Sequence, residues 1–218
     1  MTSDRRPLAT REMSVFQWFA AWLIATRVRP NAISLLSIAF AGIAGALLVA
    51  TSWHGGAAAW WRFLLAALFV QLRLLANMLD GMVAVGSGDT SPLGDLFNEV
   101  PDRVADAIIL ISAGYALGGS ATAGYMAAIV AVFTAYLRAF GGVHGVRGLF
   151  LGPMAKPHRM ATITAACAWS ALVPSSWPGG AAHPQGAMAI ALWAITLGGI
   201  VTAARRLRRI AVTMREQP

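Results

Sequence analysis

The chain has 218 residues, of which 57% are hydrophobic and only 12% are charged, and its formal net charge is +8. Since about 20 apolar residues cross a bilayer as one helix, this composition predicts an integral membrane protein with several spans. The single cysteine excludes an intramolecular disulfide, and because the sequence has no basic or aromatic nucleic-acid-binding module, we expect its positive charge to meet anionic membrane lipids, with no nucleic-acid partner.

The first predicted element is a short helix near the N-terminus. The stretch "MSVFQWFAAWLIATRVR", residues 13–29, groups aromatic and aliphatic side chains over too few residues to cross a bilayer. We therefore expect an amphipathic helix lying in the membrane interface, within a cytoplasmic N-terminal region over 1–30.

Apolar runs separated by Gly and Pro then predict six membrane-spanning helices. They lie near residues 31–52, 60–84, 92–117, 121–141, 158–175 and 185–204. The sequence thus predicts an all-α, six-span membrane domain over 31–204, followed by a basic cytoplasmic tail over 205–218.

Basic residues mark one side of this arrangement. Three of the predicted loops, "SWHGGAAA", "LGGSATA" and "PSSWPGGAAHPQG", contain no charged residue, whereas most Lys and Arg side chains fall on the opposite side. By the positive-inside rule both termini are cytoplasmic. We expect a multi-pass protein of the cell (inner) membrane.

Acidic residues are concentrated where the second and third spans end at the cytoplasmic side. Six of the nine Asp and Glu residues lie between 80 and 106. Carboxylates at this depth are costly unless they are paired, protonated or metal-bound, so a functional site is the expected explanation.

Helical spacing places these residues on two polar stripes. At about 100° per residue, the polar residues of the second span fall on one side of that helix, and those of the third span fall on one side of the next helix. The first carries Arg73, Asn77, Asp80, Gly81 and Ala84, and the second carries Asp95, Asn98, Glu99, Asp102 and Asp106. A short predicted connection, "GSGDTSP", allows the two stripes to face each other.

The oxygen-rich stripes suit a hard divalent cation. Mg²⁺ and Mn²⁺ prefer carboxylate, amide and water oxygens and leave room for substrate phosphates. Gly81 and Ala84 carry no long side chain, so a flat or bulky ligand such as a nucleotide diphosphate can approach the helix there.

The spacing resembles that of a known family, the CDP-alcohol phosphotransferases (CDP-alcohol phosphatidyltransferases). Their motif is D-x-x-D-G-x-x-A-R, eight residues, then G-x-x-x-D-x-x-x-D. This chain has the same register, with Asn77, Asp80, Gly81, Ala84, Val85, Gly94, Asn98 and Asp102 at the motif positions. The stretch "RPNAISLLSIAFAGIAGALL" and the six-span layout extend the resemblance over most of the chain.

The resemblance implies roles for particular residues. The family's aspartates hold divalent metal against the CDP pyrophosphate, and the last one is the base that activates the acceptor hydroxyl. Carried over, Asp102 is the general base and a metal ligand, and Asp80 is a metal ligand. Asn77 and Asn98 replace two aspartates, so metal affinity should fall unless Glu99 or Asp95 compensates. Val85 replaces the motif arginine.

Cations near the acidic stretch have two readings. Arg138, Arg147, Lys156 and Arg159 serve either membrane topology and lipid contact or a site for a phosphate-bearing acceptor or the donor's phosphates. Arg73 either neutralises Asp80 or Asp106 or contacts pyrophosphate in place of the arginine missing at Val85.

The resemblance implies a transferase of phospholipid biosynthesis. Such an enzyme moves a phosphatidyl or related group from a CDP-linked donor to an alcohol, releases CMP, uses Mg²⁺ or Mn²⁺ and forms a homodimer. The alternative is a catalytically inactive relative that binds CDP-lipid or lipid without turnover. We favour the active form because Asp80 and Asp102 persist with further acids beside them.

Overall fold

The structure, a computed structural model, describes residues 14–26, 30–53, 59–86, 92–146, 149–174, 177, 180–181 and 186–216, without the side chains of Pro30, Pro92, Leu93, Asp95 and Asn98. Over these residues the chain forms seven α-helices, which confirms the all-α prediction. They are α1 (Ser14–Ala25), α2 (Pro30–Ala50), α3 (Ala59–Gly86), α4 (Pro92–Gly114), α5 (Ala121–Val143), α6 (Lys156–Leu172) and α7 (Ala187–Arg215).

The helices agree with the predicted elements in number and order, but not all are equally apolar. Within the described ranges, α2, α3, α5 and α7 are long and apolar enough to cross a membrane. Helix α4 carries four acidic residues between Asp95 and Asp106, and α6 has only 17 residues. The structure therefore supports a multi-pass membrane protein, while length and composition identify four spans where the sequence predicts six.

The bundle is built around α2, α3 and α4. Helix α2 packs on both α3 and α4, α5 joins α4 to α7, and α6 lies against α3 and α7. The core is rich in alanine, with larger buried side chains such as Phe63, Met160, Ile163 and Leu192 filling the remaining space. Because small residues let helix backbones approach closely, this core holds the helices near enough for side chains of α3, α4 and α6 to meet.

The small residues of α2 divide into two groups. Ala41 is fully buried, and a Cβ at Gly45 would lie 2.7 Å from Ser112 Oγ of α4. A Cβ at Gly42 would meet nothing within 4 Å. Close helix packing therefore involves the Ala41 and Gly45 face of α2, whereas Gly42 lies on an open side.

Helix α1 packs on the end of α3. Ala20 and Leu23 are buried, while Trp18 and Trp22 are exposed. A Cβ at Gly86 would lie 2.5 Å from Ile24 Cδ1, so α1 contacts the last residue of α3 directly. One apolar face of α1 is therefore covered, and the face that carries Trp18 and Trp22 is exposed.

Helix α7 is longer than the predicted span. It continues without a break to Arg215, although the apolar run ends near residue 204. Arg206 and Ile210 are buried in this extension, so packing against the protein maintains the helix beyond the apolar run. The predicted tail over 205–218 is therefore largely part of the last helix.

Candidate functional site

The polar stripes of α3 and α4 face each other in the structure. Arg73 and Asn77 of α3 both contact Asp102 of α4, and Arg73 also reaches Asp106 one turn further along α4. Arg73, Asp102 and Asp106 are all buried. Two helices with one polar side each thus enclose a charged centre inside the bundle.

Asp102 lies at the middle of this centre and both of its carboxylate oxygens have partners. Oδ1 accepts hydrogen bonds from Asn77 Nδ2 and from Arg73 Nη2, the latter at 3.3 Å. Oδ2 lies 2.5 Å from Lys156 Nζ, at the start of α6, and 3.7 Å from Arg103 Nη2. One carboxylate therefore connects α3, α4 and α6.

A second buried carboxylate extends the connection. Arg73 Nη2 lies 2.7 Å from Asp106 Oδ1, and Arg159 Nη2 of α6 lies 2.7 Å from Asp106 Oδ2. Arg159 Nη1 also donates to the Met154 carbonyl at 3.1 Å. The buried chain Asp102–Arg73–Asp106–Arg159 places acidic and basic groups in alternation, which offsets the cost of burying each charge.

Arg73 keeps unused hydrogen-bonding capacity. Its Nε and Nη1 atoms are buried without a hydrogen-bond partner among the described residues, while Nη2 also donates to the Asp102 carbonyl at 3.1 Å. Of the predicted partners of Arg73, Asp106 forms an ion pair with it.

Asp80 is held from a different direction. Ser34 Oγ of α2 donates to Asp80 Oδ2 at 2.5 Å, and both side chains are buried. Gly81 is buried beside it and Ala84 is half-buried one turn further along α3. The predicted stripe of α3 thus faces both α2 and α4.

Glu99 faces a different environment from Asp102. Its side chain is half exposed and pairs with Arg138 of α5 and with Arg103, the latter at 3.2 Å. Arg103 connects it to Asp102. Two further predicted residues, Arg147 and the side chain of Asn98, lie outside the described part of the chain.

Of the described cations in the predicted acceptor set, Lys156 is the one that touches Asp102. It is the first residue of α6, two residues before the predicted span 158–175, and its side chain is 23% exposed.

The donor atoms fit a hard divalent cation in kind. Asp80, Asp102 and the Asn77 amide supply oxygen ligands, which Mg²⁺ and Mn²⁺ prefer. The described residues form no group of three or more His, Cys, Asp or Glu side chains that could hold an ion. Fewer carboxylates than the family motif specifies are therefore available, so a bound ion would need amide oxygens and substrate phosphates as further ligands.

Two contacts of the site have no signal in local sequence spacing. Ser34 lies in the stretch "RPNAISLL" and was not predicted to touch Asp80. Arg103 follows Asp102 directly and was not assigned a role, yet it joins Glu99 and Asp102. Spacing along one helix does not show which residue of a neighbouring helix such a serine or arginine contacts.

Known proteins of similar sequence include two phosphatidylinositol phosphate synthases. No family model matches the chain. A phosphatidylinositol phosphate synthase of Streptomyces avermitilis is 28% identical over 208 residues, which cover 91% of this chain and 77% of that protein. A second such synthase, of Mycobacteroides abscessus, is 24% identical over 199 residues, covering 88% of this chain and 81% of that protein.

A third relative matches only in part. The bifunctional IPC transferase and DIPP synthase of Rubrobacter xylanophilus is 36% identical over 121 residues, or 54% of this chain. The matched part spans only 25% of that longer protein. This likeness therefore concerns one segment of a larger relative.

Solved structures show the same fold. The crystal structure of Mycobacterium tuberculosis phosphatidylinositol phosphate synthase with CDP-DAG bound has a TM-score of 0.71 and 20% identity, covering 91% of this chain and 94% of that one. The structure of the same enzyme with manganese and citrate has a TM-score of 0.70 at 20% identity, covering 89% and 88%.

Proposed function

Since this chain belongs to the CDP-alcohol phosphotransferase family, we propose that it moves a phosphatidyl or related phospho-alcohol group from a CDP-linked donor to an alcohol acceptor and releases CMP. The observation that carries the proposal is the meeting of the two motif helices at Asp102, which is contacted from α3 by Arg73 and Asn77. Similarity to a phosphatidylinositol phosphate synthase over 91% of the chain supports it.

Asp102 is the general base of the proposed reaction. It takes the proton of the acceptor hydroxyl as that oxygen forms a bond to phosphorus, and the bond from phosphorus to the CMP oxygen breaks. Asp102 suits this role because Arg73, Asn77 and Lys156 fix both of its oxygens in place. Transfer of this kind depends on positioning and charge neutralisation more than on covalent catalysis.

The metal of the proposed reaction is Mg²⁺ or Mn²⁺, held by oxygens of Asp80, Asp102 and Asn77 and by Asn98. When bound, such an ion neutralises the donor's phosphates and orients them. Glu99, the fifth predicted ligand, pairs with Arg103 and Arg138. A metal role for Glu99 would require it to leave both arginines.

The donor's nucleotide is proposed to lie along α3 at Gly81 and Ala84, because neither residue carries a long side chain. Arg73 enters this site as a neutralising residue, since it forms ion pairs with Asp102 and Asp106. Its two unpaired nitrogens are buried, so a contact with pyrophosphate would require the site to open.

A phosphate-bearing acceptor is proposed to meet the cations on the other side of Asp102. Lys156 and Arg138 belong to this group, and Arg147 and Arg159 complete it. Arg159 donates hydrogen bonds to Asp106 and to the Met154 carbonyl. It therefore adds positive charge to the cluster and connects it to Asp106. Arginine pairs well with phosphate because its planar group donates two hydrogen bonds together.

We extend the proposal to the membrane arrangement. Helices α2 to α7 are taken as six spans with the site and both termini on the cytoplasmic side, because the basic residues gather there. The polar half of α4 and the short α6 line the site, which accounts for their lower hydropathy. A homodimer, implied by the family, is tested by cross-linking in lipid nanodiscs.

The alternative, an inactive relative that only binds CDP-lipid, predicts a different result when CMP release is measured. Purified protein in nanodiscs is given a panel of CDP-linked donors with Mn²⁺ and an alcohol or phospho-alcohol acceptor, and CMP release is measured. The proposal expects CMP release with at least one pair, which stops when the metal is chelated. Saturable donor binding with no CMP from any pair would favour the binder.

A further inference from the structure

Asn77 occupies a position where the family motif has an aspartate, and its side chain contacts Asp102 of α4. Its Nδ2 donates a hydrogen bond to Asp102 Oδ1. We propose that Asn77 is a positioning residue for Asp102, which holds the base through its amide NH₂ group. The proposal rests on the proposed function and deepens it, because it assigns this chain a different way of orienting the same carboxylate.

The direction of the hydrogen bond follows from the chemistry of the pair. An ionised carboxylate only accepts hydrogen bonds, whereas an amide has one donor end and one acceptor end. Against Asp102 the amide therefore turns its nitrogen inward, since the opposite orientation would place two oxygens against each other. The acceptor end, Asn77 Oδ1, then remains on the side away from Asp102, where it can serve as a metal ligand.

An aspartate at position 77 cannot do both. It would set a carboxylate against Asp102 at hydrogen-bonding distance, and two carboxylates sharing a site repel each other unless one is protonated or a cation lies between them. In this chain the surroundings of Asp102 are arranged for donors. Arg73 Nη2 reaches the same oxygen, Oδ1, at 3.3 Å.

The second donor is itself fixed. Arg73 is fully buried and its Nη2 lies 2.7 Å from Asp106, which Arg159 of α6 holds from the other side. Asn77, one helical turn after Arg73 on α3, therefore acts beside a rigid partner. Together the two side chains set the orientation of Asp102 from α3, while Lys156 holds Oδ2 from α6.

The first test restores the family residue with Asn77→Asp. Although this variant returns an anionic metal ligand, we expect kcat to fall by about ten-fold or more while KM for the CDP-linked donor stays within about two-fold, because the base is displaced rather than the donor site. With a chelator present and no metal, the thermal unfolding midpoint of Asn77→Asp should fall below that of the wild type. Added Mn²⁺ should raise the midpoint of Asn77→Asp more than that of the wild type.

A matched control is available on the same helix. Gln71→Glu makes the same change from amide to carboxylate, and Gln71 contacts Thr164 away from the site. We expect its kcat to stay within about two-fold of the wild type.

The decisive variant exchanges the pair, Asn77→Asp with Asp102→Asn. An amide then donates to a carboxylate again, with the two roles reversed. We expect the metal-free thermal midpoint to return towards the wild type while CMP release stays abolished, since the base is gone from position 102. The proposal is overturned if Asn77→Asp keeps wild-type stability and turns over as fast or faster, or if the exchange gives no recovery over Asn77→Asp alone. Absence of CMP release by the wild type would count against the proposed function, whereas the metal-free midpoints would still test the hydrogen bond.

Discussion

The buried guanidinium of Arg73 gives the sharpest prediction for stability. It joins α3 to two carboxylates of α4, and its side chain is 0% exposed. Arg73→Leu keeps an apolar stem but removes the charge between Asp102 and Asp106. Breaking a buried ion pair by removing one partner costs about 3–5 kcal/mol.

The expected loss is at the lower end of this range, about 3 kcal/mol. The reason is that Asp106 keeps Arg159 and Asp102 keeps Lys156 when Arg73 is replaced. For a domain of this size, each kcal/mol shifts the thermal midpoint by about 2–4 °C, so we expect a fall of about 6–12 °C.

The assay is thermal unfolding of the purified protein in detergent without metal. Arg209→Leu is the matched control, because Arg209 is exposed on α7 outside the buried chain, and its midpoint should move by no more than about 2 °C. Adding Asp106→Asn to Arg73→Leu should deepen the loss, since buried Arg159 then loses its carboxylate partner. An Arg73→Leu midpoint equal to that of the wild type would refute the claim that this chain of charges holds α3 against α4.

Two further predictions concern other contacts. Ser34→Ala removes the hydroxyl that donates to buried Asp80 at 2.5 Å and should cost about 1–3 kcal/mol in metal-free unfolding; an unchanged unfolding free energy would contradict the contact. Gly45→Leu places a Cβ 2.7 Å from Ser112 Oγ and should cost about 1–3 kcal/mol, whereas Gly42→Leu, whose Cβ meets nothing within 4 Å, should cost little, so equal losses would refute the assigned faces of α2.

Periodicity in the sequence was sufficient to predict the helices and the two polar stripes. The predicted span 60–84 corresponds to α3 (Ala59–Gly86), and the predicted span 121–141 corresponds to α5 (Ala121–Val143). Apolar runs bounded by Gly and Pro are local signals, so their ends can be read without knowing the fold. The end of α7 was missed because buried Arg206 and Ile210 extend the helix through tertiary packing.

Contacts between helices were harder to predict, because spacing along one helix does not tell which neighbour it meets. The stripe of α4 was predicted as one face, yet Asp102 is buried while Glu99 is half exposed beside Arg103 and Arg138. The sequence also leaves two interpretations of Arg73, a neutralising residue or a pyrophosphate contact. In the structure, its Nη2 lies 2.7 Å from Asp106 Oδ1. Likewise, the replacement of an aspartate by Asn77 indicated only a lost charge, whereas the structure adds the hydrogen bond to Asp102.

We propose that Asp102 activates the acceptor at a metal site between α3 and α4. CMP release by the wild type and by Asp102→Asn tests this role directly, in the same nanodisc preparation with Mn²⁺ and a CDP-linked donor, after thermal unfolding curves show that both proteins are folded. We expect metal-dependent CMP release by the wild type and none above background by Asp102→Asn. Undiminished CMP release by a folded Asp102→Asn protein would contradict it.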